Sequence, residues 1–378
     1  MTMTIEIKEF ECDRRKGRQL WRFDCDLYRS DRNWIPPFWK SYRQHFSAGS
    51  VLYHDHRDHR RHFVAERKGQ VLGHVSAFVN HDLREHDQRI GTLGLFECVE
   101  NEKVASQLFG RAVAWLRKRH EIRRIWGPMT FDVWHDYRLM TRGFDSTPFV
   151  GEPRNPSYYP AFFERSGFAI RKRWHTVELT ERQSMERLNR PSRERYKEIL
   201  KKGYQFRPID RRNSEQMRAL CQMVVASFQQ FLGYTTPPTS VIADLATSAY
   251  RMTDPALSCL AYDPCGVPCG FGIAYPDQSA AVRAMCGRSG IWARLRFLIN
   301  RRRHGNRVVF YLLGITPEEF EKRHGLGRAL FHATIDKCLQ SDLGSLLLAI
   351  IADDSPARSL LGSFMELADR EYALYEME

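Results

Sequence analysis

A chain of 378 residues, 43% hydrophobic, suits about two domains, and no apolar run approaches the roughly 18 residues of a membrane span. The formal net charge of +13 predicts attraction to anions: nucleic acid, anionic lipid, an acidic carrier protein or a phosphate-rich cofactor. The first residues mix acids and bases without the apolar segment of a signal peptide, and the nine cysteines are scattered, so free thiols in a reducing cytoplasm are expected rather than a disulfide frame.

Residues 1–60 read as polar, aromatic and irregular, with a proline-fixed turn from Arg32 to Trp39 (RNWIPPFW). Two alternating runs between Arg61 and Val79 flank Lys68-Gly69-Gln70, a hairpin signature, and residues 92–99 form another strand. Glu102 to His120 carries Val104, Leu108, Val113 and Leu116 close to helical spacing, with bases at its end. A short strand (122–127), a short helix (157–168) stopped by Gly167, and a closing strand (174–180) follow. Residues 181–203 are charge-rich and predict a solvated linker helix interrupted at Pro191.

The second half repeats that order. Strand 204–210 leads to helices 213–232 and 239–250, then to a hairpin around Pro264 to Pro268. Strand 307–315, helix 327–339, strand 345–353, short helix 355–364 and a closing strand, REYALYEM, complete it. A doubled domain is therefore expected.

A strand that runs into a turn of free amides and then a helix N-terminus suits phosphate, because the amides are unpaired, the helix dipole is favourable and glycine admits close approach. Strand 307–315 and Lys322-Arg323-His324-Gly325-Leu326-Gly327 supply those parts. Here the chain resembles the GNAT acyltransferase family, whose mark is Gln/Arg-x-x-Gly-x-Gly/Ala between the fourth strand and third helix; Lys322 stands where the family has Gln or Arg. Residues 204–378 follow the family's element order and residues 60–180 look like a second copy. The stretches NWIPPF, GLFECVENEKVASQLFGRAVAWLRKR, WGPMTF, RGFDSTPF and NPSYYPAFFERSGF resemble a bacterial tandem-GNAT group.

The resemblance implies an α/β (α+β) protein with two tandem GNAT-like domains, each a mixed, mainly antiparallel twisted sheet flanked by helices. The expected limits are a degenerate domain at 1–180, a linker helix at 181–203, and a cofactor-binding domain at 204–378 with a basic insert at 279–306. It implies acyl-CoA (acetyl-CoA or longer) as co-substrate, held by Leu313, Gly314 and Ile315 on the strand and by Lys322, Arg323, His324, Gly325, Leu326, Gly327 and Arg328 in the loop. The first copy has no Gly-x-Gly, and its acidic Cys98-Val-Glu-Asn-Glu102 would repel phosphate, so no CoA is expected there.

Acyl transfer to an amine needs a base for the amine and an acid for the leaving thiolate. The family's tyrosine position, counted from Asp354-Ser-Pro-Ala357, is Leu361 here. Tyr311, Tyr372, Tyr375, Tyr158 and Tyr159 are possible substitutes, though each is also an ordinary core tyrosine. Glu318, Asp353 and Asp354 are candidate bases, with an N-cap as the other role for Asp354. His135 with Asp136 or Asp132 could form a base and its orienter just after a strand, or a hydrogen-bonded loop.

No metal is expected. Cys265-Gly-Val-Pro-Cys269 lacks a second cysteine pair, and arginines interrupt the histidine tract His54 to His62. Residues 278–317 hold eight arginines and no acid. Within them, Arg288 to Arg303 reads either as a helix with a basic rim or as a lip for an acyl carrier protein, a long acyl chain or a membrane surface. The reading is a cytoplasmic N-acyltransferase with direct transfer to a small-molecule or carrier-bound amine held between the domains. An aminoacyl-tRNA-dependent transferase and a non-catalytic acyl-CoA-binding protein are the alternatives.

Overall fold

The structure, a computed structural model, describes residues 5–50, 52, 59–301 and 306–378. His54 to Asp58 of the histidine tract and Arg302 and Arg303 of the insert lie outside the described residues. The N-terminal half holds β1 (Glu6–Phe10), α1 (Arg14–Leu27), α2 (Trp39–Tyr42), β2 (His59–Arg67), β3 (Gln70–Glu85), β4 (Gln88–Cys98), α3 (Glu102–His120), β5 (Arg124–Gly127), β6 (Leu139–Arg142), α4 (Tyr159–Arg165) and β7 (Ala169–Leu179). After α5 (Arg182–Lys201) come β8 (Gln205–Pro208), α6 (Ser214–Phe228), α7 (Thr239–Met252), β9 (Cys259–Tyr262), β10 (Pro268–Pro276), α8 (Ser279–Ala284), α9 (Ile291–Asn300) and β11 (Arg307–Ile315). The chain closes with α10 (Pro317–Glu321), α11 (Leu326–Gln340), β12 (Ser345–Ala352), α12 (Arg358–Leu361) and β13 (Arg370–Met377).

Among the described residues all 13 strands belong to one sheet, ordered β1-β2-β3-β4-β5-β13-β7-β12-β11-β10-β9-β8, with β6 on β13. Most neighbours are antiparallel; β4 with β5 and β11 with β12 are the parallel pairs. The internal repeat appears in fine detail. In β11 the extra residue Tyr311 sits between the pairs Ile273↔Leu312 and Ala274↔Phe310. In β4 a matching shift falls between His74↔Glu97 and Ser76↔Gly94, where Leu95 takes a positive φ of 49°. Such bulges bend a strand and turn its side chains.

The closing strands do not stay with their own copies. β13 lies between β5 and β7, pairing Tyr375 with Gly127 and Tyr372 with Trp174, while β7 pairs with β12. The last strand of the chain thus completes the sheet of the N-terminal half, and one sheet runs unbroken through both.

Two expectations from the sequence are corrected. The described residues of 1–60 include regular elements: β1 pairs with β2, and α1 is capped by the Asp13 side chain, which accepts from the Arg15 and Lys16 amides. The helix buries Gly17, Leu20, Trp21 and the polar Asp24 on a charged background, which hides its period. Pro191 does not interrupt the linker helix, because α5 runs through it from Arg182 to Lys201. One hydrogen bond is lost there, but Leu188, Asn189, Ser192 and Ile199 of that face are buried, and His332 Nδ1 of α11 lies 2.9 Å from Asn189 Oδ1.

Beneath the sheet centre, Arg370 is 1% exposed and donates to Glu178 at 2.7 Å. Arg307 bonds Asp277 at 2.7 Å and donates to the Thr147 carbonyl at 3.0 Å. These buried charges tie the 147–152 loop, β7, β11 and β13 together.

Candidate functional site

The two parallel pairs part company in different ways. In the N-terminal half pairing ends at Thr92↔Trp126, and the chain itself fills the gap. Met129 N donates to Leu93 O at 2.6 Å, and a Cβ on Gly94 would lie 2.7 Å from Thr130 Cα. Further along β4, the Cys98 amide donates to the Tyr159 hydroxyl at 2.6 Å, and the Tyr158 hydroxyl donates to Cys98 O at 2.9 Å. Tyr159 is buried and also donates to Glu97 at 2.7 Å, so its hydroxyl is bonded within the core of this half.

In the C-terminal half pairing ends at Phe310↔Leu348. β12 then turns toward β7: Ile350 has φ of +51°, and its amide donates to Thr176 Oγ1 at 3.0 Å. Leu313, Gly314 and Ile315 continue on β11 with register only to Gly272, Phe271 and Gly270 on the other side. Gly314 is obligatory, because a side chain there would run into the Phe271 ring and Ser227 Oγ, 2.7 Å from its Cβ.

The loop from Lys322 to Arg328 follows. Arg323 and Gly325 adopt left-handed backbone, with φ of 49° and 89°, and Gly325 caps α11 without a side-chain bond to the first amides. Those amides therefore face an anion or solvent. A Cβ on Gly327 would meet only Ile315 Cδ1, at 4.0 Å. Leu326 is buried and pins the helix start.

Glu319, one residue from the expected Glu318, organises this loop. It is 4% exposed and receives Tyr204 Oη at 3.0 Å and Lys322 Nζ at 2.5 Å, with His324 Nε2 2.7 Å away. Burial pushes its carboxyl up, but these hydrogen bonds outweigh burial and hold it below its ordinary value. Lys322 and His324 are thus turned partly inward, while Glu318 is exposed on α10. The stem of Arg195 on α5 lies over Gly325, with Cδ 2.7 Å from where a Cβ would be. The sequence held no signal for Arg195 or Glu319, since both depend on contacts between distant segments.

Residues 128–138 span the two halves above Tyr311. Val133 N donates to Gly233 O at 3.0 Å, Trp134 Nε1 to Thr235 O at 2.8 Å, and the Thr235 hydroxyl to Asp132 Oδ2 at 2.7 Å. Trp134 stacks on Phe228 of α6, with centroids 5.0 Å apart. His135 Nδ1 lies 2.7 Å from Asp132 Oδ1, so the expected pair exists, and it anchors the loop. Phe131 and Arg138 hold φ values of 75° and 82°, a conformation that non-glycine residues keep only where surroundings enforce it.

That anchoring presents Asp136, Tyr137 and Arg138 beside Tyr311. The Arg138 guanidinium sits 3.9 Å from the Tyr137 ring centroid and 4.7 Å from that of Trp174. Asp136 keeps exposed surface although protein surrounds it, as at the floor of a cleft. Burial raises its carboxyl above the ordinary value, opposed by His135. Burial also raises the Tyr311 hydroxyl, with the Arg138 charge opposing and Asp136 adding to it. The Tyr311 ring leans edgewise on Phe149 and Tyr275.

Asp353, at the end of β12, accepts from Arg358 and lies 2.9 Å from His175 Nε2. It borders a cavity of about 540 Å³ lined also by Leu83, Trp126, Lys172 and Tyr234, residues from both halves. Asp354 pairs with Lys172 at 2.8 Å and does not cap a helix, because α12 starts later, after Ala357. Leu361 is buried in the core. Tyr372 is buried and bonded to Glu152, and Tyr375 donates to Glu164 at 3.2 Å. The Cys265–Cys269 segment is a hairpin turn held by Asp263, and among the described residues no cluster of three or more His, Cys, Asp or Glu is arranged for a metal.

This fold, with a glycine loop opening the helix after a splayed strand, is the one found in a solved tandem GNAT protein. The model of the acetyltransferase (GNAT) family matches residues 26–133, the half without Gly-x-Gly. Protein YghO of Escherichia coli K12 is 24% identical over 367 residues, 94% of this chain and 91% of that protein. A bacterial ceramide synthase of Caulobacter vibrioides is 23% identical over 265 residues, 69% of this chain and 67% of its own. A tandem GNAT protein from the clavulanic acid biosynthesis pathway superimposes with a TM-score of 0.53 at 10% identity, covering 99% of this chain and 98% of that one.

Proposed function

We propose that the protein is an N-acyltransferase that moves an acyl group directly from acyl-CoA to an amine held between the two halves. The observation that carries this reading is the opening of β11 from β12 after Phe310↔Leu348, with the uncapped amides of α11 beyond it. The β11 backbone from Leu313 to Ile315 would pair with the pantetheine arm. The loop amides would take the pyrophosphate, and Lys322, Arg323, Arg328 and Arg195 would add positive charge. The filled opening in the other half supports a single donor site.

In this reading the thioester lies near the bulge at Tyr311. Asp136 accepts the proton of the attacking amine, and burial raises its affinity for protons above that of an ordinary carboxylate, which strengthens it as a base. The amine adds to the thioester carbonyl, forming the C–N bond and a tetrahedral oxyanion, whose collapse breaks the C–S bond and expels the thiolate. Arg138 stabilises the oxyanion between those events, and the Tyr311 hydroxyl supplies a proton to the leaving thiolate. His135 acts through Asp132 as a positioning residue, and Asp353 lines the space for the acceptor. Lipid amines head the acceptor list, because the name ceramide synthase, carried by one relative, denotes N-acylation of such an amine.

The test follows thiol release from acyl-CoAs of increasing chain length against a panel of short and long-chain amines, with the amide identified by mass spectrometry. Amine-dependent thiol release is expected. Acyl-CoA binding without turnover would make the protein a binding module, and turnover only with aminoacyl-tRNA would replace the donor.

A further inference from the structure

The basic insert before β11 forms two helices, and the second presents its apolar residues to solvent. On α9, Ile291, Trp292 and Ile299 are 79%, 75% and 61% exposed, and Leu295 and Leu298 are exposed as well. At about 100° per residue these five fall within an arc of about 120°. Arg294 and Arg301 border that arc on one side and Arg296 on the other. Ala293 is buried and Phe297 half-buried on the opposite face, which is the face that meets the protein. A contiguous apolar face of this kind needs a partner.

The turn before α9 is seated on the N-terminal half. Trp39 N donates to Gly287 O at 3.0 Å, and a Cβ on Gly287 would lie 2.6 Å from Pro37 O and 3.0 Å from Trp21 Cζ2. The proline-fixed turn of the N-terminal half thus seats the insert and keeps its apolar stripe outward.

We infer that α9 docks the protein on an anionic lipid bilayer, its stripe entering the headgroup boundary and its arginines reaching lipid phosphates. Residues 278–317 contain no acid, and Arg288, Arg294, Arg296 and Arg301 are exposed without a carboxylate partner among the described residues. An apolar centre flanked by arginines suits a layered surface with hydrocarbon below and phosphate above. A second copy fits worse, because a two-fold contact would bring like-charged flanks together. An acidic carrier protein would match the arginines and leave the width of the apolar face unexplained. No helix among the described residues is long and apolar enough to cross a membrane, so the attachment is peripheral.

The test is flotation of the full-length protein with vesicles of phosphatidylcholine, with and without phosphatidylglycerol. The wild type should float with the anionic vesicles and detach as salt rises. Trp292→Glu with Leu298→Glu should lower the bound fraction at least about tenfold. Arg294→Gln with Arg296→Gln should weaken binding and flatten its salt dependence. Thermal unfolding checks that each variant folds, and thiol release with a short soluble amine keeps this result separate from the acyltransferase reading. Equal flotation of the Trp292→Glu/Leu298→Glu variant would overturn the proposal. So would a wild type that floats with neither vesicle, including one whose face proves by light scattering to join two copies or to bind an acidic carrier protein.

Discussion

Replacing Gly327 by glutamate puts a carboxylate into the first turn of α11, where the pyrophosphate of the donor would lie. The site has room, since the nearest heavy atom to a new Cβ is Ile315 Cδ1 at 4.0 Å. Stability should hold or rise, because replacing a helical glycine gains up to about 1 kcal/mol and an acid near a helix N-terminus adds a few tenths more. Binding should suffer. Two unit charges about 4 Å apart repel by about 4 kcal/mol at an effective dielectric of about 20. Solvent and salt at an open loop halve that to about 2 kcal/mol, or about thirtyfold in affinity. Calorimetric titration with CoA and acetyl-CoA measures the change, beside thermal unfolding. Gly110→Glu is the control, since Gly110 is exposed on α3 with nothing within 4 Å of a new Cβ. A Gly327→Glu protein that binds CoA within about threefold of the wild type would refute the placement on this loop. Gly325 is the poorer probe: its left-handed φ and the overlying Arg195 stem would penalise folding together with binding.

Asp136→Asn should lower amine-dependent turnover by about 10² to 10⁴ and remove the acidic limb of the kcat/KM profile, a limb lying above the ordinary carboxylate range because burial raises this group. An unchanged profile would assign the base elsewhere. Arg370→Met should destabilise the fold by about 3–5 kcal/mol in urea, since Glu178 and Glu152 lose their buried cation; a loss under about 1 kcal/mol would show that Arg307 already compensates. His45 is buried, and burial pushes it from 6.5 down to about 3, with His135 and Arg60 adding to the shift. The folded state therefore binds its proton less readily than the unfolded chain. Its contribution to stability is complete above pH 6.5 and is lost at about 1.4 kcal/mol per pH unit as pH falls from there toward 3. Urea midpoints at pH 7, 6 and 5 should fall in the wild type and flatten in His45→Gln; parallel slopes would contradict this.

Much of the architecture is written in local patterns. Lys68-Gly69 marks the β2–β3 turn, the apolar spacing from Val104 to Leu116 builds α3, and KRHGLG announces a helix opened by glycine, because turn chemistry and helical period act over a few residues. The family resemblance and the doubled order also follow from such signals. Where a sparse stripe lies on a charged background, as in α1, or where one buried face carries a helix past Pro191, local reading misses the element.

Contacts between distant segments decided the rest. The sequence places β13 last, but only sheet pairing inserts it between β5 and β7. Glu318 and Glu319 are indistinguishable as neighbouring acids until packing buries one against Tyr204 and leaves the other in water. Tyr159 and Tyr311 look alike as tyrosines near turns, yet one is consumed by Glu97 and Cys98 and the other stands at the β11 bulge. Asp136 and Arg138 gain their position from Trp134 and Asp132, which grip the α6–α7 connection about a hundred residues away. Backbone pattern is local and therefore legible in sequence; burial, charge pairing and the facing of side chains across a cleft belong to the folded whole.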